Sequence, residues 1–437
     1  MTNPSYDNKT AKKILAARQV TDIPYNDKMV DVPNIAQLLY DRRDAQPDAP
    51  YLIYRDGDER VEISYASFTK KVNRTANFML GTLGIQPGQR VGAVTYNHPD
   101  TVVLMFACWL VGATYVPINI GDDDERIEFI LNNAEAKAVF GMPDLLERIE
   151  SLKDNLTAEY FIQINGDPQG SFIYLPDEVK TMADEVENYD ALATLDSEAL
   201  LVYTSGTTGT PKGVILEQYN LLVDIKCISD WYGFNSNDRA MLILPIHHVN
   251  GIVVTLLTPL WFGGSTVLNR KFSASNYWRI AAEEHCTFGS VVPTILAFLC
   301  EKGEDRTQYN LSARFFLICG AGPLTVELGE RFEEQFKIRI NHGYGLSETT
   351  CYSCYLPYDL TENEHNRWMR DDGYPAIGVP LPCNEMDIQT DSGESVAEGE
   401  KGEAQGEAEA KGRRREAEAQ GEAQGEAQAE GQAEEEE

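Results

Sequence analysis

The densest chemistry in the chain lies at Tyr203-Thr204-Ser205-Gly206-Thr207-Thr208-Gly209-Thr210-Pro211-Lys212-Gly213, directly after the apolar run Ala199-Leu200-Leu201-Val202. A strand that breaks into such a loop offers backbone N–H groups, hydroxyl donors and an ammonium to one small volume. Glycines let the backbone close around a polyanion without Cβ clashes, and a lysine adds a counter-charge. This chemistry suits a nucleotide triphosphate. It is not the Walker pattern, because Lys212 stands three residues after Gly209, Pro211 intervenes, and no Ser or Thr follows it. A flexible Ser/Thr/Gly surface turn accounts for the composition, but not for the buried-type strand before it or the proline-stiffened lysine.

Two further segments offer complementary groups. Asn341-His342-Gly343-Tyr344-Gly345-Leu346-Ser347-Glu348-Thr349 follows an expected strand at Ile338-Arg339-Ile340 and supplies an aromatic plane, a hydroxyl and a carboxylate. Ligands collect at the carboxyl ends of parallel strands, and a hard cation such as Mg²⁺ is usually shared between one carboxylate and substrate phosphates. Cys319-Gly320-Ala321-Gly322-Pro323 is a small-residue turn after another expected strand, suited to close approach of a flat ring. Either segment alone is equally an ordinary tight turn.

The elements that must position these groups alternate in type. Tyr51–Tyr54 and Val61–Ser64 predict a hairpin around Asp56-Gly57-Asp58, followed by a helix from Ser64 to about Leu83. Short apolar runs at 90–95, 114–118, 138–141, 241–244, 265–268, 288–292 and 315–318 predict strands. Helical patterns at 101–110, 126–132, 251–260, 276–284, 293–299 and 325–336 separate them. Such alternation predicts an α/β body with parallel sheets covered on both faces. Thr101 to Ile118 has no charged residue, but Gly112, Pro117 and Tyr115 interrupt it, so a buried helix turning into a buried strand is expected rather than a membrane span.

The 437 residues carry a formal charge of −32, which argues against nucleic acid or anionic membrane as a main partner. The excess is partly local, since the residues before Gly393 still carry a net −22. Eight scattered cysteines, most of them in apolar runs, predict reduced thiols in a cytoplasmic protein, and Cys351-Tyr352-Ser353-Cys354 lacks a second pair at zinc spacing. From Ala397 to Glu437 only Ala, Glu, Gly, Lys, Gln and Arg occur, and Gly-Glu-Ala-Gln recurs at 402–405, 421–424 and 425–428. Nothing there can be buried, so disorder or a frayed polar helix is expected.

Taken in order, these motifs resemble the adenylate-forming superfamily, which includes acyl-CoA synthetases, firefly-type luciferases and nonribosomal adenylation domains. Tyr203 to Gly213 is similar to its phosphate-binding signature, and Tyr344-Gly345-Leu346-Ser347-Glu348 to its tyrosine-glycine-x-threonine-glutamate motif. Leu110 to Ile118 and Gly373 to Pro380 resemble two of its structural motifs. The resemblance implies a large N-terminal AMP-binding domain over 31–396, with two helix-flanked, mostly parallel sheets and an incomplete β-barrel subdomain. It would lie between a polar arm at 1–30 and the low-complexity tail at 397–437. The implied activity is ATP-dependent activation of a small carboxylic acid to an acyl-adenylate, then capture by the thiol of coenzyme A. Carried over by position, Thr204, Ser205, Gly206, Thr207, Thr208, Gly209 and Lys212 would enclose the β- and γ-phosphates. Gly320, Ala321 and Gly322 would line base and ribose. Tyr344 would stack on adenine beside Gly345, Ser347 would reach the α-phosphate, and Glu348 would hold Mg²⁺.

Leu244-Pro245-Ile246-His247-His248-Val249-Asn250-Gly251 resembles the segment that gates the acid pocket, with His248, Val249 and Gly251 as its lining. No phenylalanine-aspartate pair of the amino-acid-activating members lies near it. Departures begin after Glu398-Gly399-Glu400-Lys401-Gly402-Glu403, where the family continues with apolar residues and this chain with polar ones. The threonine-glycine-aspartate motif, the hinge and the C-terminal domain with its adenylation lysine are not found, and Lys401 and Lys411 sit in no matching context. Loss of one such charge-stabilising group costs on the order of 10²–10³ in rate. Two expectations of different class follow: an acid–thiol ligase impaired in turnover, or a truncated fragment or pseudoenzyme that binds ATP and carboxylate. The acid's identity and a homodimer are left open.

Overall fold

The computed structural model describes residues 29–204, 211–371, 373–390 and 403–408, which form two compact units, Met29–Phe272 and Ser273 onward. Residues 1–28 of the polar arm expected at 1–30 lie outside the described residues, as do 391–402 and 409–437.

The first unit holds eleven described strands: β1 (Pro50–Asp56), β2 (Glu59–Ser64), β3 (Arg90–Val94), β4 (Thr114–Pro117), β5 (Ala136–Gly141), β6 (Tyr160–Gln163), β7 (Ile173–Tyr174), β8 (Glu198–Thr204), β9 (Lys212–Glu217), β10 (Arg239–Leu242) and β11 (Ser265–Asn269). Seven of them form one sheet in the order β7-β6-β5-β3-β4-β8-β9, parallel except for the β8–β9 pair. In the other sheet β10 and β1 both run parallel to β11, and β2 closes the expected hairpin antiparallel to β1. Gly57 takes φ +57° in that turn, a conformation glycine adopts without a Cβ penalty.

The helix Pro99–Leu110 is buried on almost every face, and β4 follows it, as the uncharged run at 101–118 predicts. Val94, Val116, Ile127, Ile130, Leu131, Val139 and Ile149 pack together between the sheet and its helices. Full burial of each such side chain contributes about 1.5–3 kcal/mol. One polar link crosses these central strands. Glu198 accepts hydrogen bonds from Arg90 at 3.2 Å and from Thr114 Oγ1 at 3.3 Å, which ties β8 to β3 and β4 at its first residue.

The second unit holds β12 (Phe288–Val291), β13 (Phe316–Cys319), β14 (Ile340–Tyr344), β15 (Cys354–Tyr355), β16 (Val379–Pro380), β17 (Asn384–Gln389) and β18 (Glu403–Ala408). β12, β13 and β14 run parallel, and β15 and β16 add antiparallel pairs beyond β14. Thr325 caps the helix Val326–Phe336 by accepting from the Leu328 N–H at 3.2 Å.

Several elements depart from the sequence-based expectation. The strand placed at Ile338–Ile340 instead begins at Ile340 and runs through Asn341, His342 and Gly343 to Tyr344. Burial by neighbouring strands, not local hydrophobicity, holds those polar residues in the ladder. Lys212 and Gly213, read from sequence as the end of the loop, begin a strand that runs to Glu217. The helix expected over 251–260 is broken into Val249–Ile252, a five-residue π turn Val253–Leu257, and Thr258–Phe262. Pro259 has no N–H to give to the carbonyl of Thr255, which accepts from Thr266 Oγ1 at 2.7 Å instead. Glu403–Ala408, expected within an unstructured tail, pairs antiparallel with Asn384–Gln389, because a ladder is made of backbone groups and needs no apolar side chain.

Candidate functional site

The residues singled out from the sequence occupy three places, two in the first unit and one in the second. The first is the mouth of the β8–β9 hairpin. Thr204 pairs with Lys212 and Tyr203 with Gly213 across the antiparallel ladder. Directly opposed residues have Cβ atoms about 4.5–5.5 Å apart, so the ladder itself brings the Thr204 hydroxyl and the Lys212 stem together. Lys212 is exposed. Ser205, Gly206, Thr207, Thr208 and Gly209 lie outside the described residues. Tyr203 is fixed beside the mouth: its hydroxyl donates to Asn133 Oδ1 at 2.6 Å, and burial pushes its pKa up to about 12. A Cβ on Gly213 would come within 2.8 Å of Leu201 Cδ1, so glycine makes room for the neighbouring apolar side chain.

The second place follows β10. Asn97, buried beyond the end of β3, donates to the carbonyls of Leu244 at 3.0 Å and Asn269 at 3.1 Å, and accepts from the Ile246 N–H at 2.9 Å. One side chain thereby fixes the segment that leads into His247 and His248. Their rings lie 4.2 Å apart, centroid to centroid. Burial, with His248 beside it, pushes the His247 imidazole well below its usual range. His248 is exposed, and the protein around it lowers its pKa, opposed by Asp122. Gly251 is a required close approach, since a Cβ there would lie 2.9 Å from the Pro245 carbonyl oxygen. Val249 is half-buried beside it.

The third place lies at the carboxyl ends of β13 and β14. These strands are parallel neighbours with Cys319 opposite His342, so Gly320-Ala321-Gly322 and the Tyr344–Glu348 segment emerge side by side. Ala321 sits at φ +60° with Ala321 and Gly322 exposed. A Cβ on Gly320 would meet the Tyr352 ring and hydroxyl at 2.6 Å, and one on Gly345 would lie 1.6 Å from the Cys351 carbonyl oxygen. Tyr344 and Ser347 are half-buried and Glu348 is exposed. Ser347–Thr349 forms a single 3₁₀ turn, which Thr349 Oγ1 secures by accepting from the Leu346 N–H at 3.0 Å and from Ser353 Oγ at 2.8 Å.

Beneath this loop His342 Nδ1 donates to the Ala376 carbonyl at 2.8 Å, and burial lowers its pKa. Glu348 is a single exposed carboxylate, and no group of three or more metal-ligating side chains occurs among the described residues.

The sequence pointed to no role for Asn97, His342, Thr349, Tyr352 or Ser353. Asn97 carried a readable signal, a polar residue just past a strand and before a proline-started helix. Thr349 and Ser353 act through bonds to residues three and four positions away, whereas His342 and Tyr352 act through contacts with Ala376 and Gly320, distant in sequence, which no local pattern encodes.

The profile of a family described as AMP-binding enzyme matches residues 39–404. The sulfoacetate–CoA ligase of Cupriavidus necator is 30% identical over 376 residues, covering 84% of this chain and 70% of that protein. The oxalate–CoA ligase of Arabidopsis thaliana is 28% identical over 79% of this chain and 65% of its own length. The feruloyl-CoA synthase of an Amycolatopsis species is 27% identical over 78% and 64%. The chain thus spans about two thirds of the length of these relatives. In fold it resembles the anthranilate CoA ligase AuaEII in complex with anthranoyl-AMP, with a TM-score of 0.77 at 23% identity over 87% of this chain and 71% of that one. It also resembles ATP-bound MatB from Rhodopseudomonas palustris, with a TM-score of 0.73 at 24% identity over 86% and 71%.

Proposed function

The chain belongs to the AMP-binding enzyme family, and we propose that it activates a small carboxylic acid with ATP and passes the acyl group to coenzyme A. In the first step a carboxylate oxygen attacks the α-phosphorus, forming the acyl-adenylate as pyrophosphate leaves. In the second the thiolate sulfur attacks the acyl carbon, and AMP departs with the bonding electron pair.

The observation that carries the reading is the paired position of Thr204 and Lys212 at the loop end of a hairpin, in the segment that resembles the family's phosphate-binding signature. A hydroxyl and a lysine rooted on opposed strands can both reach one polyphosphate, the ammonium on a long flexible stem. In this reading Ser205, Gly206, Thr207, Thr208 and Gly209 complete the phosphate grip. Gly320, Ala321 and Gly322 receive base and ribose, with Tyr344 and Gly345 against the adenine and Ser347 on the α-phosphate. Glu348 holds Mg²⁺, which when bound neutralises phosphate charge. His248, Val249 and Gly251 line the acid site. His247, held neutral, places no cation beside the entering carboxylate.

A second reading, binding with little turnover, is favoured by residues 397–437, which place Lys401 and Lys411 in no context resembling the family's adenylation lysine. Pyrophosphate release measured over a panel of carboxylates, together with calorimetric titration of ATP, separates the two. Acid-dependent pyrophosphate release supports the first. Nucleotide binding without release supports the second, and absence of nucleotide binding defeats both.

A further inference from the structure

Backbone strain is concentrated beside the Ser347–Glu348 turn. Six described non-glycine residues have positive φ, and Thr350 is the only β-branched one among them. Its φ of +71° and ψ of −61° lie outside the left-handed helical region that Asn188 and Lys337 occupy. These are the angles of the rare, strained γ-turn, and the Cys351 N–H closes that turn onto the Thr349 carbonyl at 3.0 Å. Branching at Cβ makes threonine a poor residue for such a conformation. Thr350 is nonetheless completely buried, and its Oγ1 has no hydrogen-bond partner among the described residues. Packing therefore holds it there against both its backbone preference and its polar atom.

The reversal has a clear geometric result. It turns the chain back immediately after the 3₁₀ turn, laying the Cys351 carbonyl against Gly345 and returning the Ser353 N–H to the Tyr344 carbonyl at 2.8 Å. The Thr350 N–H closes onto the Ser347 carbonyl at 3.1 Å. Tyr344 to Ser353 is thus a closed loop whose exposed face presents Glu348, and the strained residue is the wedge that keeps it closed. Strain that persists under full burial marks a position where geometry is over-determined.

We propose that Thr350 is a positioning residue: its buried γ-turn fixes the Ser347–Glu348 turn in the geometry that takes a Mg²⁺-bound nucleotide phosphate. The proposal rests on the reading of Ser347 and Glu348 as nucleotide-site residues.

Two variants of the full chain test it. Thr350→Val keeps the branched, buried shape and removes the unpaired hydroxyl. Thr350→Gly removes the wedge while permitting the same φ without strain. Two measurements are made on each: amide hydrogen exchange across 344–353, and calorimetric titration with ATP in magnesium and in EDTA. The Val variant is expected to match the wild type in both. In the Gly variant the Leu346 and Ser353 amides should exchange about tenfold faster while β12 and β13 are unchanged. Its affinity for ATP in magnesium should fall about tenfold, with a much smaller change in EDTA. A Gly variant with wild-type exchange and wild-type magnesium dependence overturns the proposal. So does a Val variant that loosens the loop as Gly does, because the hydroxyl and not the wedge would then be at work. A wild-type chain that binds no nucleotide defeats the nucleotide reading and with it the assigned role, while the exchange result still decides whether Thr350 holds the loop closed.

Discussion

The mouth of the β8–β9 hairpin is placed by a ladder, whereas the loop from Tyr344 to Ser353 is placed by exclusion and by side-chain straps. In the hairpin, regular antiparallel pairing puts Thr204 opposite Lys212, and the nearest neighbour of a Cβ on Gly213 would be the end of a leucine side chain. In the other loop a Cβ on Gly345 would strike a backbone carbonyl, two hydroxyls hold the turn, and Thr350 is strained. The difference teaches that a group can be aimed in two ways. A ladder sets a coarse position and leaves the long lysine stem to find the phosphate in the proposed site. A locked loop leaves a short serine or glutamate little freedom, which suits a metal or an α-phosphate that tolerates little displacement.

Paired substitutions can break that comparison, beginning with the two glycines. Gly345→Ala should destabilise the chain by about 3 kcal/mol or more, because backbone cannot move aside, whereas Gly213→Ala should cost under about 1 kcal/mol. Urea unfolding midpoints check both, and equal effects would show that the loop is as yielding as the hairpin.

On activity, Lys212→Met is expected to lower acid-dependent pyrophosphate release about 10²-fold with little effect on stability, since the side chain is exposed. Glu348→Gln should instead raise the magnesium concentration needed for half-maximal release. Interchanged phenotypes would reverse the roles assigned to the two loops.

Smaller effects separate the supports. Ser353→Ala removes the bond to Thr349 Oγ1 and should cost about 1 kcal/mol, and Tyr203→Phe should cost a similar amount by freeing Asn133. Only the first is expected to shift the magnesium dependence.

Acid provides the least intrusive probe. His342 has a folded-state pKa below its ordinary value, so the unfolded chain binds its proton more readily. Its contribution to stability is therefore fully present above pH ~6.5 and is lost as pH falls from there through the folded value, by up to about 1.4 kcal/mol per pH unit. His342→Gln should show a smaller fall in melting temperature between pH 7.5 and 5.5 than the wild type. His98, His247 and His248, also lowered by burial, remain in both proteins and cancel in the difference.

Much of the α/β body was legible in the sequence because period and punctuation are local. The β1–β2 turn at Gly57, the buried run from Pro99 through β4, and the helix expected from 325 to 336 all follow from neighbours within a few residues. Motif order was legible for the same reason, since each motif is a short run of residue types. The strand through Asn341, His342 and Gly343 was not, because nothing local distinguishes buried polar strand residues from a loop. Nor was the π turn at Val253–Leu257, whose displaced carbonyl finds its donor in Thr266 on β11.

By itself the sequence determined which groups the proposed nucleotide site would draw on: the glycines and hydroxyls of 203–213, the small turn at 320–322, and the hydroxyl and carboxylate at 347 and 348. Only the tertiary structure decided that Lys212 faces Thr204 across a ladder, that Asn97 anchors the segment before His247 and His248, and that Thr350 is bent against its preference beside Glu348. The reason is physical. Residue type and spacing fix what chemistry a segment carries, but register, close approach and strain arise only when a second strand or a buried side chain is set against it.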